Sequence, residues 1–497
     1  MKDKKMKRSD SSPRRRQESQ INGISRYGDD YIFKHPLTQE VAYNSLLLKR
    51  RSQLHGKIAL CIETDHKNEL EKFYGLLAYH YSNSTDKKKA LHYLCKAGEQ
   101  AEKMYAGKEA MDYYTQALSL LDDNLSGSSL ENLLWKNIEL KINLLSNRGT
   151  VHRQFFGNYK EALKDYERAL KLSKIIKNKY CEAMSLSNIG SVFRRQGKYE
   201  KTLSYYEKAM NILTAGRHSN KTNRKDYKII ASLFNKIGVV YDDMGNSETA
   251  LSFYQKALNA SKKIKDKHIM AATLGNIGII YDNRGNYEQA LKYYNEALSI
   301  ETEQKNKRGI AGNFENIGIA YNLMGNYQTA LSYFEKAFKV FDEISDKSEI
   351  AFCLTNIGNA YYKLEQYTKA LEYQKNALEI KQELGEKWGI ANSLDEIGMI
   401  YQKLGNLKLA VNHHNLALNI AKEIGAKAIE ANILINIGII QSLQIQKKTS
   451  LQRNKYGTSR HDSDAKKLIE SGIEIAKEIG NQEVIEYGNN ALKKLCA

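Results

Sequence analysis

Apolar residues recur along most of this chain at the spacing of one face of an α-helix. A representative stretch places them at positions i, i+3, i+4 and i+7, namely Leu274, Ile277, Gly278 and Tyr281. Arg284-Gly285-Asn286 ends this helix, because glycine readily takes the positive φ of a helix end. A second helix follows with small and aromatic residues at helical spacing: Ala290, Tyr294, Ala297 and Leu298. The pattern predicts two antiparallel helices that cross closely at their small residues.

The same helix pair recurs at a fixed interval of 40 residues. Looser copies reach upstream to about residue 70, and Asp266, Asn306 and Asp346 are predicted N-caps between pairs. Each pair leaves an apolar face uncovered, so neighbouring pairs must stack to bury it. The repeat therefore predicts an all-α fold with a concave inner wall as its working surface. The glycine of the first helix marks the period: Gly238, Gly278, Gly318, Gly358, Gly398 and Gly438.

Proline and cysteine usage narrows the class of protein. The 497 residues contain two prolines, Pro13 and Pro36, and a β-rich or loop-rich chain of this length would rarely avoid proline. The five cysteines lie far apart without a CxxC motif, which argues against a disulfide framework and a thiolate zinc site. The charged start has no signal-peptide pattern, and the apolar runs are short for a bilayer. We therefore expect a cytoplasmic protein without a membrane span.

The net charge of +19 raises the question of an acidic partner. Residues 1–16 hold eight Lys and Arg against Asp3 and Asp10, and such a tail can bind nucleic acid or an anionic membrane. No aromatic residue interleaves these charges, which favours a solvated, disordered leader. Nucleic acid, bound through this tail and the basic stretch 446–467, is the disfavoured alternative.

Seven residues of the representative pair resemble the tetratricopeptide repeat, and the likeness covers roughly residues 70–440. It implies a right-handed α-solenoid superhelix of stacked antiparallel helix pairs that binds proteins or peptides. The period departs from the usual 34 residues, and the proline usual near the end of the second helix is absent. Longer helices of this kind are similar to those of kinesin light chains and bacterial peptide-sensing regulators. The seven residues are Leu274, Ile277, Gly278, Tyr281, Ala290, Tyr294 and Ala297.

Two later repeats depart further from the pattern. Gln374 and His414 stand where the second helix has an aromatic residue, and Glu365 replaces the turn glycine.

Residues 31–62 carry a second resemblance. Phe33-Lys34-His35 and the run Thr38-Gln39-Glu40-Val41-Ala42-Tyr43 look like the junction between the ATPase and the tetratricopeptide array of bacterial signalling ATPases, which are often fused to adenylate cyclases. The cyclase and nucleotide-binding regions that would precede this junction are missing. The resemblance implies the sensor end of such a protein, encoded separately or truncated.

The sequence is accordingly expected to form six parts. These are a basic disordered leader at 1–30, a helical segment at 31–69 that resembles the end of an ATPase-associated domain, divergent tetratricopeptide-like helices at 70–145, the main array at 146–440, a polar basic insertion at 441–464, and capping helices at 465–497.

Signatures of catalysis are missing from the sequence. The stretch 216–222, GRHSNKT, lacks the second glycine of a phosphate-binding loop and is one residue short. The adjacent His413 and His414 would point about 100° apart on a helix, so a shared metal is disfavoured and core packing of His414 is favoured. No GxSxG motif or Cys/His nucleophile context occurs. We expect no enzyme activity, no cofactor and no metal site.

The first helix offers a candidate binding surface. If its apolar residues face the core, the positions two before, one after, five after and six before the Ile-Gly glycine point away from it. Asparagine recurs two before the glycine although it is a poor mid-helix residue. A row of amides can pair with an extended peptide backbone, and neighbouring aliphatic residues can hold its side chains. The candidate groove residues are Asn188, Asn276, Ile279, Asn283, Asn316, Ile319, Asn356, Asn359, Lys363 and Asn436.

Two readings of this amide row remain open. Each asparagine could instead bond the helix of the adjacent repeat and set the pitch of the stack. The favoured function is a non-catalytic scaffold or adaptor that binds a peptide or protein segment in the groove. The alternative is the regulatory or sensor part of a split bacterial ATPase or adenylate cyclase protein, with an ATPase or cyclase as its partner in trans.

Overall fold

A computed structural model describes residues 20–21, 24–27, 30–33, 36–104, 106–125, 131–215, 224–451 and 460–496. Two compact units divide the chain, Met1–Gly157 and Asn158–Ala497. This boundary falls inside the stretch that was expected to form one array from residue 146.

Three short antiparallel strands come first, where the sequence predicted a disordered leader and the start of a helical segment. They are β1 (Gln20–Ile21), β2 (Ile24–Tyr27) and β3 (Asp30–Phe33). The pairing of Ile21 with Ile24 leaves Asn22-Gly23 between the paired residues, which is the strongest short hairpin signal in a sequence. That signal identifies the first hairpin, and the prediction overlooked it. Residues 1–19 of the expected leader lie outside the described residues.

The described part of the first unit continues with six α-helices and one 3₁₀ turn, Leu70–Phe73. Glu63 ties three of the helices together, because its carboxylate accepts hydrogen bonds from Lys89 Nζ at 2.6 Å, Tyr93 Oη at 2.6 Å and Tyr81 Oη at 2.7 Å. The helices are α1 (Pro36–Ser45), α2 (Leu48–Asp65), α3 (Tyr74–Ser82), α4 (Lys87–Lys103), α5 (Gly107–Leu125) and α6 (Glu131–Gln154).

The second unit is a stack of helix pairs. From α8 to α21, each even-numbered helix is the first helix of a pair and the odd-numbered helix after it is the second. The second helix also packs on the first helix of the next pair. The predicted all-α solenoid is thus confirmed. The helices are α7 (Tyr159–Ile175), α8 (Lys179–Arg195), α9 (Tyr199–Thr214), α10 (Arg224–Asp243), α11 (Ser247–Ile264), α12 (Lys267–Asn283), α13 (Tyr287–Glu303), α14 (Lys307–Leu323), α15 (Tyr327–Glu343), α16 (Lys347–Lys363), α17 (Tyr367–Leu384), α18 (Lys387–Lys403), α19 (Leu407–Glu423), α20 (Lys427–Leu451), α21 (Arg460–Glu478) and α22 (Gln482–Cys496).

The repeated glycine permits the close crossing that the sequence predicted. A Cβ added to Gly278 would lie 2.5 Å from Cε1 of Tyr294, and one on Gly318 would lie 2.6 Å from Cε1 of Phe334. Both rings are almost fully buried. A side chain on the first helix would therefore collide with the aromatic ring of its own pair.

Two of the three predicted N-caps are confirmed. Asp266 Oδ1 accepts from the Ile269 amide at 3.1 Å, and Asp346 Oδ1 accepts from the Glu349 amide at 3.5 Å. Asn306 stands at the N-cap position of α14 but makes no side-chain capping bond, because its Nδ2 donates to Glu301 Oε2 at 2.8 Å. The Glu301 side chain is buried, so it requires a donor that a solvated carboxylate would take from water.

The expected polar insertion at 441–464 is shorter in the structure. Helix α20 continues through residue 451 and α21 begins at residue 460, because residues 441–451 contain neither glycine nor proline to stop a helix. Residues 452–459 lie outside the described residues, as does the GRHSNKT stretch at 216–222.

Helix α20 contains a long apolar stretch. Within the described residues, Lys427–Ile445 alone passes a length and hydropathy test for a membrane span, and 56% of the tested stretch is buried inside the fold. Ile433 and Ile435 are fully buried and pack against neighbouring helices. A core helix passes the same test, so the feature is weak evidence for a membrane span.

Candidate functional site

The first helices of the second unit form the crowded side of the stack. Neighbouring first helices, such as α8 with α10 and α12 with α14, approach each other more closely than neighbouring second helices do in the described residues. In a curved solenoid the crowded side faces inward. We use the term first-helix face for the residues two before, one after, five after and six before the glycine of each first helix.

The structure exposes the predicted residues of this face to different degrees. Asn188, Asn276, Asn316 and Asn356, two before the glycine, are half-buried, whereas Asn436 is buried. One after the glycine, Ile279 is exposed, and Ile319 and Asn359 are half-buried. Five after the glycine, Asn283 and Lys363 are exposed.

Three of the predicted amides bond to a neighbouring repeat. Asn276 Nδ2 donates to Asn235 Oδ1 on the preceding first helix at 3.1 Å. Asn359 Nδ2 donates to Glu396 Oε1 at 3.2 Å. Asn436 Nδ2 donates to Asp395 Oδ1 on the preceding first helix, and its Oδ1 accepts from Tyr487 Oη. For these residues the structure shows the inter-repeat bonds that the alternative reading of the row proposed.

Other predicted amides make no such bond. Within the described residues, Asn188 and Asn316 have no side-chain hydrogen bond, and Nδ2 of Asn356 is shielded from solvent without a partner. The row is interrupted by Lys236, whose Nζ donates to Ser187 Oγ at 2.8 Å, and by Glu396. Of the predicted amides without such a bond, Asn316 and Asn356 lie on the neighbouring helices α14 and α16, Asn283 is exposed on α12, and Asn188 is on α8.

Exposed apolar residues occupy outward positions of α14 and α16, the helices that carry Asn316 and Asn356. Leu323, five after Gly318, is 52% exposed, and Phe352, six before Gly358, is 46% exposed. Gly312 has open space where a Cβ would lie. Phe352 was not among the predicted groove residues, although an aromatic residue at an outward helix position is a signal that the sequence carries. This central part of the first-helix face offers amides beside exposed apolar surface.

Polar residues replace the buried aromatic rings in α17 and α19. Gln374 is fully buried, and its Nε2 donates to the carbonyl of Thr355 at 3.2 Å and to Asn359 Oδ1 at 2.9 Å. His414 is fully buried with Nδ1 2.7 Å from Asp395 Oδ1. His414 thus packs in the core. Among the described residues, no cluster of three or more His, Cys, Asp or Glu could hold a metal ion.

Buried carboxyl groups lie along the first helices. Burial raises the pKa of Glu315 to about 8, with the nearby Glu349 charge adding to the effect. Burial raises the pKa of Asp282 to about 6. Burial also raises the pKa of Glu396 to about 7, although the hydrogen bond from Asn359 acts in the opposite direction. These groups are therefore wholly or partly protonated near neutral pH.

A cleft of about 670 Å³ closes the C-terminal end of the first-helix face. We call it the end cleft. Helices α16, α18, α20, α21 and α22 contribute to it, and its residues from α18 and α20 include the face positions Met399, Lys403, Asn436 and Ile439. Helix α22 contributes Tyr487, Asn490, Ala491 and Lys494, which share one helix face.

Comparison with known families bears out the repeat. The family model for the tetratricopeptide repeat matches residues 140–215, 229–303 and 310–383. None of the curated protein sequences matches the chain.

Several solved structures resemble this one at low sequence identity. A Signal Transduction ATPase with Numerous Domains with a tetratricopeptide repeat sensor, from Pyrococcus horikoshii, is 15% identical with a TM-score of 0.53, covering 91% of this chain and 67% of that one. The apo quorum sensor NprR from B. thuringiensis is 17% identical with a TM-score of 0.48, covering 75% and 99%. BtubC from P. vanneervenii is 18% identical with a TM-score of 0.38, covering 47% and 92%. At these identities the first comparison shows a shared fold and nothing further.

Proposed function

Because the chain carries tetratricopeptide repeats, we propose that it is a non-catalytic scaffold whose first-helix face binds a peptide or protein segment. The observation that carries the proposal is the central part of that face, where half-buried Asn316 lacks a hydrogen bond beside exposed Leu323 and Phe352.

The chemistry of this region suits an extended peptide. An asparagine amide offers both a donor and an acceptor, so it can pair with one peptide unit of a bound backbone. Exposed Leu323 and Phe352 supply apolar area for the side chains of the bound segment, and aromatic anchors commonly dominate such interfaces. Asn276, Asn359 and Asn436 already bond within the stack, so their contribution is to the spacing of the repeats.

Peptide selection on the full-length chain tests the proposal. A peptide taken from a displayed random library is titrated calorimetrically into the wild type and into an Asn316→Ala, Phe352→Ala double variant. Loss of one hydrogen-bonding amide and one aromatic contact should weaken binding at least tenfold, equivalent to about 1.4 kcal/mol. The melting temperature should change little, because neither side chain is buried.

Matched controls separate binding from folding. Asn295→Ala, on an exposed position of the second helix α13, should leave peptide affinity unchanged. Asn276→Ala should lower the melting temperature, because it breaks a bond between repeats. Unchanged affinity of the double variant, or a library that yields no binder, would count against the proposal.

A second candidate function is the sensor part of an ATPase or cyclase system acting in trans. In the junction-like segment 31–62, helix α1 ends at Ser45 and two exposed leucines follow it, Leu47 at 81% and Leu48 at 77% exposure. The fold likeness to a signalling ATPase with a tetratricopeptide repeat sensor also favours it. The exposed leucines lie in the first unit, whereas the fold likeness covers 91% of the chain.

An ATPase or cyclase encoded beside this gene provides the test. Adding the full-length chain should change its nucleotide turnover, and Leu47→Asp with Leu48→Asp should abolish that effect while circular dichroism stays unchanged. If the added chain left nucleotide turnover unchanged, the sensor function would be rejected and the scaffold function would remain.

A further inference from the structure

The end cleft differs in chemistry from the rest of the first-helix face. Met399 and Ile439 line one wall from α18 and α20, and Ala491 and Leu495 line the other from α22. These residues give the cleft an apolar body. Its volume of about 670 Å³ lies within the range of small-molecule sites, roughly 300–1,000 Å³.

The amide at this end is unavailable to a peptide backbone. Asn436 Nδ2 donates to Asp395 Oδ1 at 3.3 Å, and its Oδ1 accepts from Tyr487 Oη at 2.8 Å. Burial of Asn436 and this pair of bonds fix the orientation of its side chain. The position two before the glycine, which is proposed to pair with a peptide backbone in the central part of the face, is therefore not free to do so here.

The charged groups of the end cleft share one sign. Lys403 of α18 and Lys494 of α22 line it, and no carboxylate is among its lining residues. Neither lysine has an ion-pair partner among the residues that the structure describes. Two ammonium groups beside apolar walls match a ligand with an apolar body and a single anionic head group.

We propose that the end cleft binds a small amphipathic anion, such as a medium-chain carboxylate, with its chain between α20 and α22 and its head group at Lys403 and Lys494. The site is distinct from the peptide surface of α14 and α16, so it does not depend on the proposed scaffold function. The cleft lining also contains the amide side chains of Gln402 and Asn490, and the ligand is inferred from the two lysines and the apolar residues.

Calorimetry on the full-length chain with decanoate tests the site. Decylammonium, with the same chain length and opposite charge, is the ligand control. Decanoate should bind with one site per chain, and decylammonium should bind at least tenfold more weakly.

Two matched double variants locate the site. Lys403→Ala with Lys494→Ala should weaken decanoate binding about tenfold, because two exposed charge contacts are lost. Lys422→Ala with Lys493→Ala removes the same charge from exposed positions outside the cleft and should leave binding unchanged. Circular dichroism verifies that both variants remain helical.

Three outcomes would overturn the proposal. They are equal binding of decanoate and decylammonium, equal weakening by the two double variants, and no heat of binding up to about 1 mM decanoate. None of them bears on peptide binding at α14 and α16, so the two proposals fail separately.

Discussion

At the residue scale, the aromatic slot of the second helix shows how one side chain changes a helix pair. Where Phe334 fills the slot, a Cβ on the facing glycine would lie 2.6 Å from the ring, whereas the corresponding distance to Gln374 Cγ is 3.0 Å. The polar replacement also brings hydrogen-bonding groups into the core, and Gln374 Oε1 and His414 Nε2 are left without partners. Unpaired buried polar atoms cost stability, so each of these two replacements carries a cost that a buried aromatic ring does not.

Glu396 is a further polar residue in the same region. It occupies the position two before Gly398 where other repeats carry asparagine, and its Oε2 is shielded from solvent without a partner. Burial raises its pKa to about 7, with the Asp395 charge adding to this effect and Lys381 opposing it. A carboxyl whose pKa is higher in the folded than in the unfolded chain contributes stability below its unfolded pKa, and that contribution is lost as the pH rises through 7.

Glu396→Gln should therefore stabilise the protein at alkaline pH. The amide carries no charge, so the variant should gain about 1–2 kcal/mol in free energy of unfolding over the wild type at pH 8, and the gain should vanish near pH 5. Urea unfolding at the two pH values measures the difference. Glu296→Gln, at an exposed position of α13, should show no such pH dependence. A pH-independent loss of stability in Glu396→Gln would instead assign the side chain a structural hydrogen-bonding role.

At the element scale, ion pairs link the two ends of four successive hairpins, from α12–α13 to α18–α19. The first residue of a first helix pairs with the last or next-to-last residue of its second helix, as in Lys307 with Glu343 at 2.9 Å and Lys347 with Glu383 at 2.6 Å. A lysine at a helix N-terminus and a glutamate at a C-terminus are each unfavourable with the helix dipole. Pairing the two offsets that cost, although such exposed ion pairs contribute little to stability. The same pair recurs as Lys267 with Glu303 and Lys387 with Glu423.

Element boundaries depended on signals of unequal strength. The Arg284-Gly285-Asn286 turn was predictable because glycine readily adopts a positive φ, and Gly285 does so with a φ of +73°. Glu365 takes the equivalent left-handed conformation, with a φ of +60°, although it lacks the conformational freedom of glycine. Only comparison with the neighbouring repeats could have predicted a turn at this residue. The end of α20 and the strands before residue 34 were missed, since neither follows the repeat.

At the scale of the whole molecule, stability comes from contacts between neighbours in the stack. Each helix of the second unit packs mainly on the helices before and after it in sequence. Such an array is close to a sum of repeat stabilities and nearest-neighbour interfaces. Its length can therefore change by whole pairs without loss of the fold.

Deletion of one complete pair should be tolerated. Removing residues 267–306 takes out α12 and α13 and joins Asp266, an established N-cap, to Lys307 at the start of α14. We expect a soluble protein with unchanged helicity per residue and a single unfolding transition. Removing residues 267–286 alone would place α13 directly after α11, two second helices in succession, and should give aggregation or lost helicity. Equal behaviour of the two deletions, measured by circular dichroism and gel filtration, would contradict the nearest-neighbour account.

The sequence by itself determined the helix pairs, their period and the glycine–aromatic crossing, because the residues involved lie within one repeat and follow a helical spacing. Only the tertiary structure decided which amides are available. Asn276 finds its partner on the preceding first helix, and Asn436 finds one on α22, so both depend on how far one repeat is shifted against the next. The end cleft likewise exists because α22 packs on α20 beyond the last regular pair. The physical reason is that a side chain's local spacing gives its direction from the helix, whereas its partner depends on the pitch of the stack.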